Sequence, residues 1–448
     1  KAGVPRWVSL LSYAAMILHP ASQFNRYTMA DTFYAAILPL TLGGLLLTLL
    51  TPKLIHAAWT GIALAALWNT REESFLIPPL LIVFFLLAVI RQRSMQGGTR
   101  SPLARRSRTK AASALMLSWK ATARDWLKPA AAMVGILLSL NLTIDLVNYR
   151  TFRSFSKSDI SSPGYEAAFR ALLRIKPAKP LRFVPVTTEA MQVAYTVSPA
   201  FAQLRAQLEG DLGRAWQVPT FTTLGIHEMG PWFMWGFRQA ANFEGFHKDA
   251  VSANRYYRQV ASEINQACDQ DQIPCRLVFS SFLDPSALSN IAYLPQSLVR
   301  TGGLFVLPYH RIASQDDDIL TDSQRALYDE MTNRRVMLSP GFSDQSWNFI
   351  GEYHWFLVLG LSIAGLVALL IILWRFRYVQ VSDSVNSVLI LLGTTILLRF
   401  LFFSFLDATW WEGGYERYLF PIMPFYSCFL ILLIYQSLVL WRKGGKAI

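Results

Sequence analysis

The sequence predicts a mainly α, polytopic helical membrane protein of about eight spans, with a mixed α/β extracytoplasmic domain inserted among them. Three observations predict it. Of its 448 residues 53% are hydrophobic and only 16% charged, whereas soluble proteins carry about a quarter charged residues. Apolar runs of spanning length recur at both ends of the chain, and a strongly basic segment separates the early runs from the rest.

A helix needs about 20 apolar residues to cross the hydrocarbon core, fewer where it packs inside a bundle. The runs that qualify are 7–24, 31–50, 54–68, 74–90, 129–147, 353–374, 386–406 and 417–441. The third and fourth are short, and Pro78 and Pro79 interrupt the fourth near its start, as expected of spans inside a bundle. The organisation that follows is a four-span bundle over 1–90, a basic loop over 91–128, one span over 129–147, a soluble domain over 148–351 and a three-span bundle over 352–448.

Orientation comes from charge. Residues 91–128 hold about ten Lys and Arg against one acid, Asp125, and short loops of that kind stay in the cytoplasm. Part of it, LMLSWKATARDWL, has the make-up of an interfacial amphipathic helix. Propagating this orientation puts Lys1, Arg6, Lys53, Arg375, Arg377 and the tail WRKGGK inside, so both termini are cytoplasmic. Outside fall 23–31, 69–74, 148–351 and 407–416. The net charge of +13 is thereby a matter of topology and lipid contact, and no nucleic-acid partner is expected. With Lys1 rather than Met first, the chain is expected to lack an N-terminal segment.

The outer domain is long enough for a core of its own. LRFVPV (181–186) and RLVFSSF (276–282) have the pattern of buried strands. TTEAMQVAYTVSPAFAQLRAQLEG and KDAVSANRYYRQVASEINQAC have that of helices, the second with Ala253, Tyr257, Val260, Ala261, Ile264 and Cys268 on one stripe, which marks a packed core. The aromatic stretch GPWFMWGFRQAANFEGF (230–246) fits three settings: the lipid interface, the core, or a stacking platform for sugars. Cys268 and Cys275, with six residues between them in an oxidising compartment, are expected to form a disulfide, since no second ligand pair follows for zinc. The domain has no sequon, which favours a bacterial inner membrane with the domain in the periplasm.

Signatures for dinucleotide binding, phosphate loops, zinc peptidases and serine hydrolases are missing, and the six histidines are scattered without ligand spacing. What stands out is arginine in short outer loops, where positive charge is disfavoured. Arg26 lies near Asp31, Arg71 beside Glu72 and Glu73, and Arg417 near Glu412 and Glu416, with Trp411 alongside. Arg399 lies within a span, where a charge marks a functional site by default, facing a polar cavity or a carboxylate of another helix. Asp407 is on nearly its helical face but about 12 Å further along the axis. Guanidinium forks suit phosphate oxygens, and a neighbouring carboxylate serves as a general base or holds the arginine in place. The alternative is a set of interface anchors and structural ion pairs.

The REE triplet between two spans, the basic loop and above all ERYLFPIMPF opening the last span resemble the GT-C class of polytopic glycosyltransferases, which includes protein mannosyltransferases and lipid A aminoarabinose transferase. The resemblance covers roughly residues 7–90 and 386–441. It implies transfer of a sugar from a polyprenyl-phosphate donor to a glycan, lipid or protein acceptor, with Arg417 and Arg71 on the donor phosphate. Glu72 or Glu73 would shape the sugar or acceptor pocket, and Pro421 and Pro424 would bend the last helix beside it. Members carry an acidic residue in an early outer loop and about three more spans, which the missing N-terminal segment would supply; without it the base is Asp31, Glu72 or Glu73. Arg26, Arg399, Glu416 and Trp411 complete the expected substrate contacts. No cofactor is demanded, and a divalent metal stays open. Two other functions fit the same layout: a non-enzymatic glycan-binding or envelope-assembly protein, and a polysaccharide polymerase or ligase.

Overall fold

The computed structural model describes residues 4–19, 30–97, 108–278, 280, 286–306, 342–375, 379, 383–411, 413 and 416–444. Its principal helices are α1 (Arg6–Ile17), α2 (Ala30–Leu50), α3 (Leu54–Thr70), α4 (Ile77–Gly97), α5 (Arg108–Phe152), α6 (Pro163–Arg174) and α7 (Thr188–Val197). They continue with α8 (Asp211–Leu224), α9 (Phe233–Phe243), α10 (Ala250–Asp269), α11 (Leu294–Val306), α12 (Phe342–Trp374), α13 (Ser384–Thr409) and α14 (Met423–Gly444). The chain divides into two compact units, one of residues 1–140, 299–403 and 414–448, the other of 141–298 and 404–413.

Among the described residues six helices are long and apolar enough to cross a membrane: Phe33–Leu50, Ser74–Gln92, Trp126–Phe152, Tyr353–Trp374, Ser384–Thr409 and Met423–Arg442. The protein is an integral membrane protein of the helical class. In the first unit, large apolar side chains on these helices point outward, with Leu40 68%, Ile82 61% and Leu366 60% exposed. Such faces are stable against lipid tails, not water.

Small residues and buried hydroxyls hold the spans together, as expected where lipid offers no hydrophobic drive between helices. α2 packs on α3, with the Thr48 and Thr60 hydroxyls 3.0 Å apart. A Cβ on Gly61 of α3 would stand 2.6 Å from the Met133 carbonyl oxygen of α5, so only glycine allows that approach. α14 packs on both α1 and α12. Its Gln436 donates to Asn386 of α13 at 2.8 Å, and the Tyr426 hydroxyl meets Ser362 of α12 at 3.1 Å.

The second unit is helical, and the expected mixed α/β domain is not found: among its described residues there is no strand, only a single bridge between Ile175 and Cys275. The run 181–186 fails as a strand for local reasons. Pro180 and Pro185 remove backbone donors, and Phe183 has φ 64°, a left-handed conformation incompatible with a strand. Of the run 276–282, the described residues carry no strand pairing. The expected single helix after Thr187 is broken by Pro199, whose missing N–H ends α7 and starts a new turn capped by Ser198.

α6 and α10 form the centre of this unit. Ser162 and Asp249 cap their N-termini, accepting from Tyr165 N at 3.3 Å and Ser252 N at 2.7 Å. Gly164 lets them touch: its N–H donates to Asn254 Oδ1 at 2.7 Å, and a Cβ there would meet the Asn254 carbonyl oxygen at 2.5 Å. The stripe Ala253, Tyr257, Val260, Ala261, Ile264 and Cys268 is buried. Of the aromatic stretch, Phe233 and Phe237 are fully buried in this core while Trp235 keeps 38% exposure.

Cys268 and Cys275 form a disulfide with Cα atoms 5.6 Å apart. It ties the end of α10 to the segment that bridges the end of α6, where Arg276 N donates to the Arg174 carbonyl at 2.7 Å. In the chain-entropy view a loop this short is worth about 2 kcal/mol. Cys275→Ser should therefore lower the unfolding free energy of this unit by about that amount, measured by denaturant titration under non-reducing conditions.

Candidate functional site

The first unit gathers two of the sequence-selected arginines. Thr70 ends α3, and Arg71 follows in extended conformation (φ −150°, ψ 157°) before a 3-10 turn, Glu72–Leu76, leads into α4. Because the backbone reverses here, the Arg71 side chain returns into the bundle, where the residue is 9% exposed. Its guanidinium carbon lies 4.7 Å from the Tyr418 ring centroid and 5.9 Å from that of Tyr34.

Arg399, mid-way along α13, reaches the same two tyrosines. Its Nε donates to the Tyr418 carbonyl at 2.8 Å and its Nη1 to the Tyr34 hydroxyl at 2.9 Å. The guanidinium carbon also stands 4.8 Å from the Tyr34 ring centroid and 5.3 Å from that of Phe403, one turn further along α13. Phe403 in turn packs 5.6 Å from Tyr418. Arg399 is 3% exposed, and the two tyrosines supply what a buried cation needs, oxygen acceptors and aromatic faces. Four separate stretches of chain thus meet at one point.

The remaining predicted residues fall as follows. Asp31 lies in the first turn of α2, one turn before Tyr34, and Glu72 and Glu73 open the 3-10 turn that follows Arg71. Glu416 and Arg417 begin a short helical turn, Glu416–Leu419, that carries Tyr418. Arg26 and Glu412 lie outside the described residues. Trp411 belongs to the second unit, its ring centroid 5.8 Å from Trp232 and 6.4 Å from Phe183. Asp407, also in that unit, is 1% exposed and accepts from Gly413 N at 2.7 Å, closing the turn after α13.

Sequence reasoning missed Tyr34, Tyr418 and Phe403. The available signals were Tyr418 beside Arg417 and Tyr34 three residues after Asp31, a spacing that stacks residues on one helix face. Among the described residues no group of three or more His, Cys, Asp or Glu side chains could hold a metal ion.

Chemically, buried guanidinium groups that share aromatic partners are of the type that can hydrogen-bond an oxyanion such as a phosphate. A guanidinium fork can give two parallel hydrogen bonds to such a group, and the field inside a bundle is stronger than at a wet surface. No family model, curated protein or solved structure matches this chain.

Proposed function

We propose that the protein is a membrane glycosyltransferase of GT-C type, moving a sugar from a polyprenyl-phosphate donor to an acceptor outside the cytoplasm. One observation supports this above the rest: Arg71 and Arg399, far apart in sequence, share Tyr34 and Tyr418 inside the bundle. Two guanidinium groups drawn from distant stretches of chain to the same pair of tyrosines supply the kind of planar donors that bind phosphate oxygens.

In this reading Arg71, Arg399 and Arg417 bind the donor phosphate. The acceptor oxygen attacks the anomeric carbon as the bond from that carbon to the phosphate oxygen breaks, its electron pair passing to the phosphate. The acceptor proton passes to a carboxylate, Glu72, Glu73 or Asp31. A single displacement inverts the anomeric centre. The phosphate leaves as an anion, so stabilising its charge is the main catalytic work. The prenyl tail stays in lipid, the basic segment 91–128 faces the cytoplasm, and the inserted domain lies in the periplasm of a bacterial inner membrane.

The test is transfer by the full chain in proteoliposomes, supplied with a panel of polyprenyl-phosphate sugars and a lipid or peptide acceptor. Release of free polyprenyl phosphate coupled to glycosylated product is expected for one donor. Turnover of a polyprenyl diphosphate-linked oligosaccharide instead would replace this reading with a polymerase or ligase.

A further inference from the structure

The second unit holds a cavity of about 330 Å³ whose wall carries two hydrogen-bonded pairs of titratable groups, Arg238 with Asp159 and His247 with Tyr257. Asp159 Oδ2 accepts from Arg238 Nε at 3.0 Å and Nη2 at 2.5 Å. His247 Nδ1 lies 3.6 Å from the same oxygen, and its Nε2 lies 2.8 Å from the Tyr257 hydroxyl. Burial of the His247 ring lowers its pKa against the opposing pull of Asp159, so the imidazole is neutral at neutral pH. The lining charges then cancel, Lys157 and Arg238 against Asp159 and Asp249.

That balance argues against a phosphate or other polyanion, which needs excess positive charge. Size argues against anything large, since ligand sites run from roughly 300 to 1,000 Å³ and this one is at the lower bound. The serine-rich loop 154–162 and Asn242 add groups that both donate and accept, suited to hydroxyls. Phe152, 59% exposed, puts an aromatic ring on the rim, where an apolar C–H face can lie against it. A purely structural knot of Asp159, Arg238 and His247 does not need the open volume beside it.

We propose that this cavity binds one uncharged sugar unit of a glycan, with Asp159, Arg238 and Asn242 hydrogen-bonding its hydroxyls and Phe152 against its C–H face. The proposal does not rest on the transferase reading, since a binding protein would use the same cavity.

Saturation-transfer NMR on the full chain in a sugar-free detergent tests it, with the methyl glycosides of mannose, glucose, galactose and N-acetylglucosamine as probes. At least one glycoside should show transfer. Asn242→Ala and Phe152→Ala should each weaken it about tenfold while leaving the unfolding temperature in place, and inorganic phosphate should not compete. No transfer from any of the four, retention of binding in both variants, or displacement by inorganic phosphate would each overturn the proposal.

Discussion

Arg71→Ala and Arg399→Ala should each lower sugar transfer by about 10²–10³-fold, the loss seen when one preorganised donor to a developing anion is removed. Both side chains are buried against Tyr34 and Tyr418, so truncation also loosens the bundle, and activity alone would confuse the two effects. Lysine separates them. Arg71→Lys and Arg399→Lys keep the charge and much of the packing yet lose the fork, and lysine is not an equivalent partner at a bidentate site. Transfer by the lysine variants should therefore drop by at least about tenfold while the unfolding temperature stays near that of the parent. If the lysine variants turn over normally, the arginines are interhelical staples.

Phe237→Ala should destabilise the second unit by about 3–5 kcal/mol, a large part of what holds a domain of this size together. Phe237 is fully buried, with ring centroids of Tyr257, Tyr165, Phe201 and Phe233 at 5.2, 5.5, 5.7 and 5.8 Å. Four aromatic neighbours, fixed by α6, α9, α10 and the turn Pro199–Ala202, cannot collapse into the space a methyl leaves, so the cavity cost adds to the lost burial. Phe237→Leu, which retains much of the volume, should cost about half as much. Near-UV circular dichroism of the full chain during denaturant unfolding reports both, and equal effects for Ala and Leu would show that the site relaxes.

The membrane class was legible because lipid imposes a one-dimensional rule: spans must be long, apolar and flanked by charges of the right sign. The helix over 250–269 was legible for a similar reason, since Ala253, Tyr257, Val260 and Ile264 repeat at helical spacing on a polar background. Strands over 181–186 were not excluded by composition. A short apolar run fits a buried strand or a buried turn equally well, and it is the left-handed φ of Phe183, between the prolines at 180 and 185, that decides. The arginine cluster was half legible. Charge in the wrong place singled out Arg71 and Arg399, but their shared tyrosines come from α2 and the turn before α14, and only the fold brings those segments together. The pocket around Asp159 was invisible for the same reason: His247, one of six scattered histidines, gains its partners only when α9 and α10 close on the loop before α6.

Equilibrium binding of a short-chain polyprenyl phosphate decides whether Arg71 and Arg399 form a donor-phosphate site, because it needs neither the sugar nor the acceptor. Full-length protein in detergent should bind the phosphate, and the free prenyl alcohol should bind at least tenfold more weakly. Arg71→Lys and Arg399→Lys should each narrow that difference. Equal affinity for phosphate and alcohol, or a difference unchanged in both lysine variants, would show that Arg71 and Arg399 do not bind the donor phosphate.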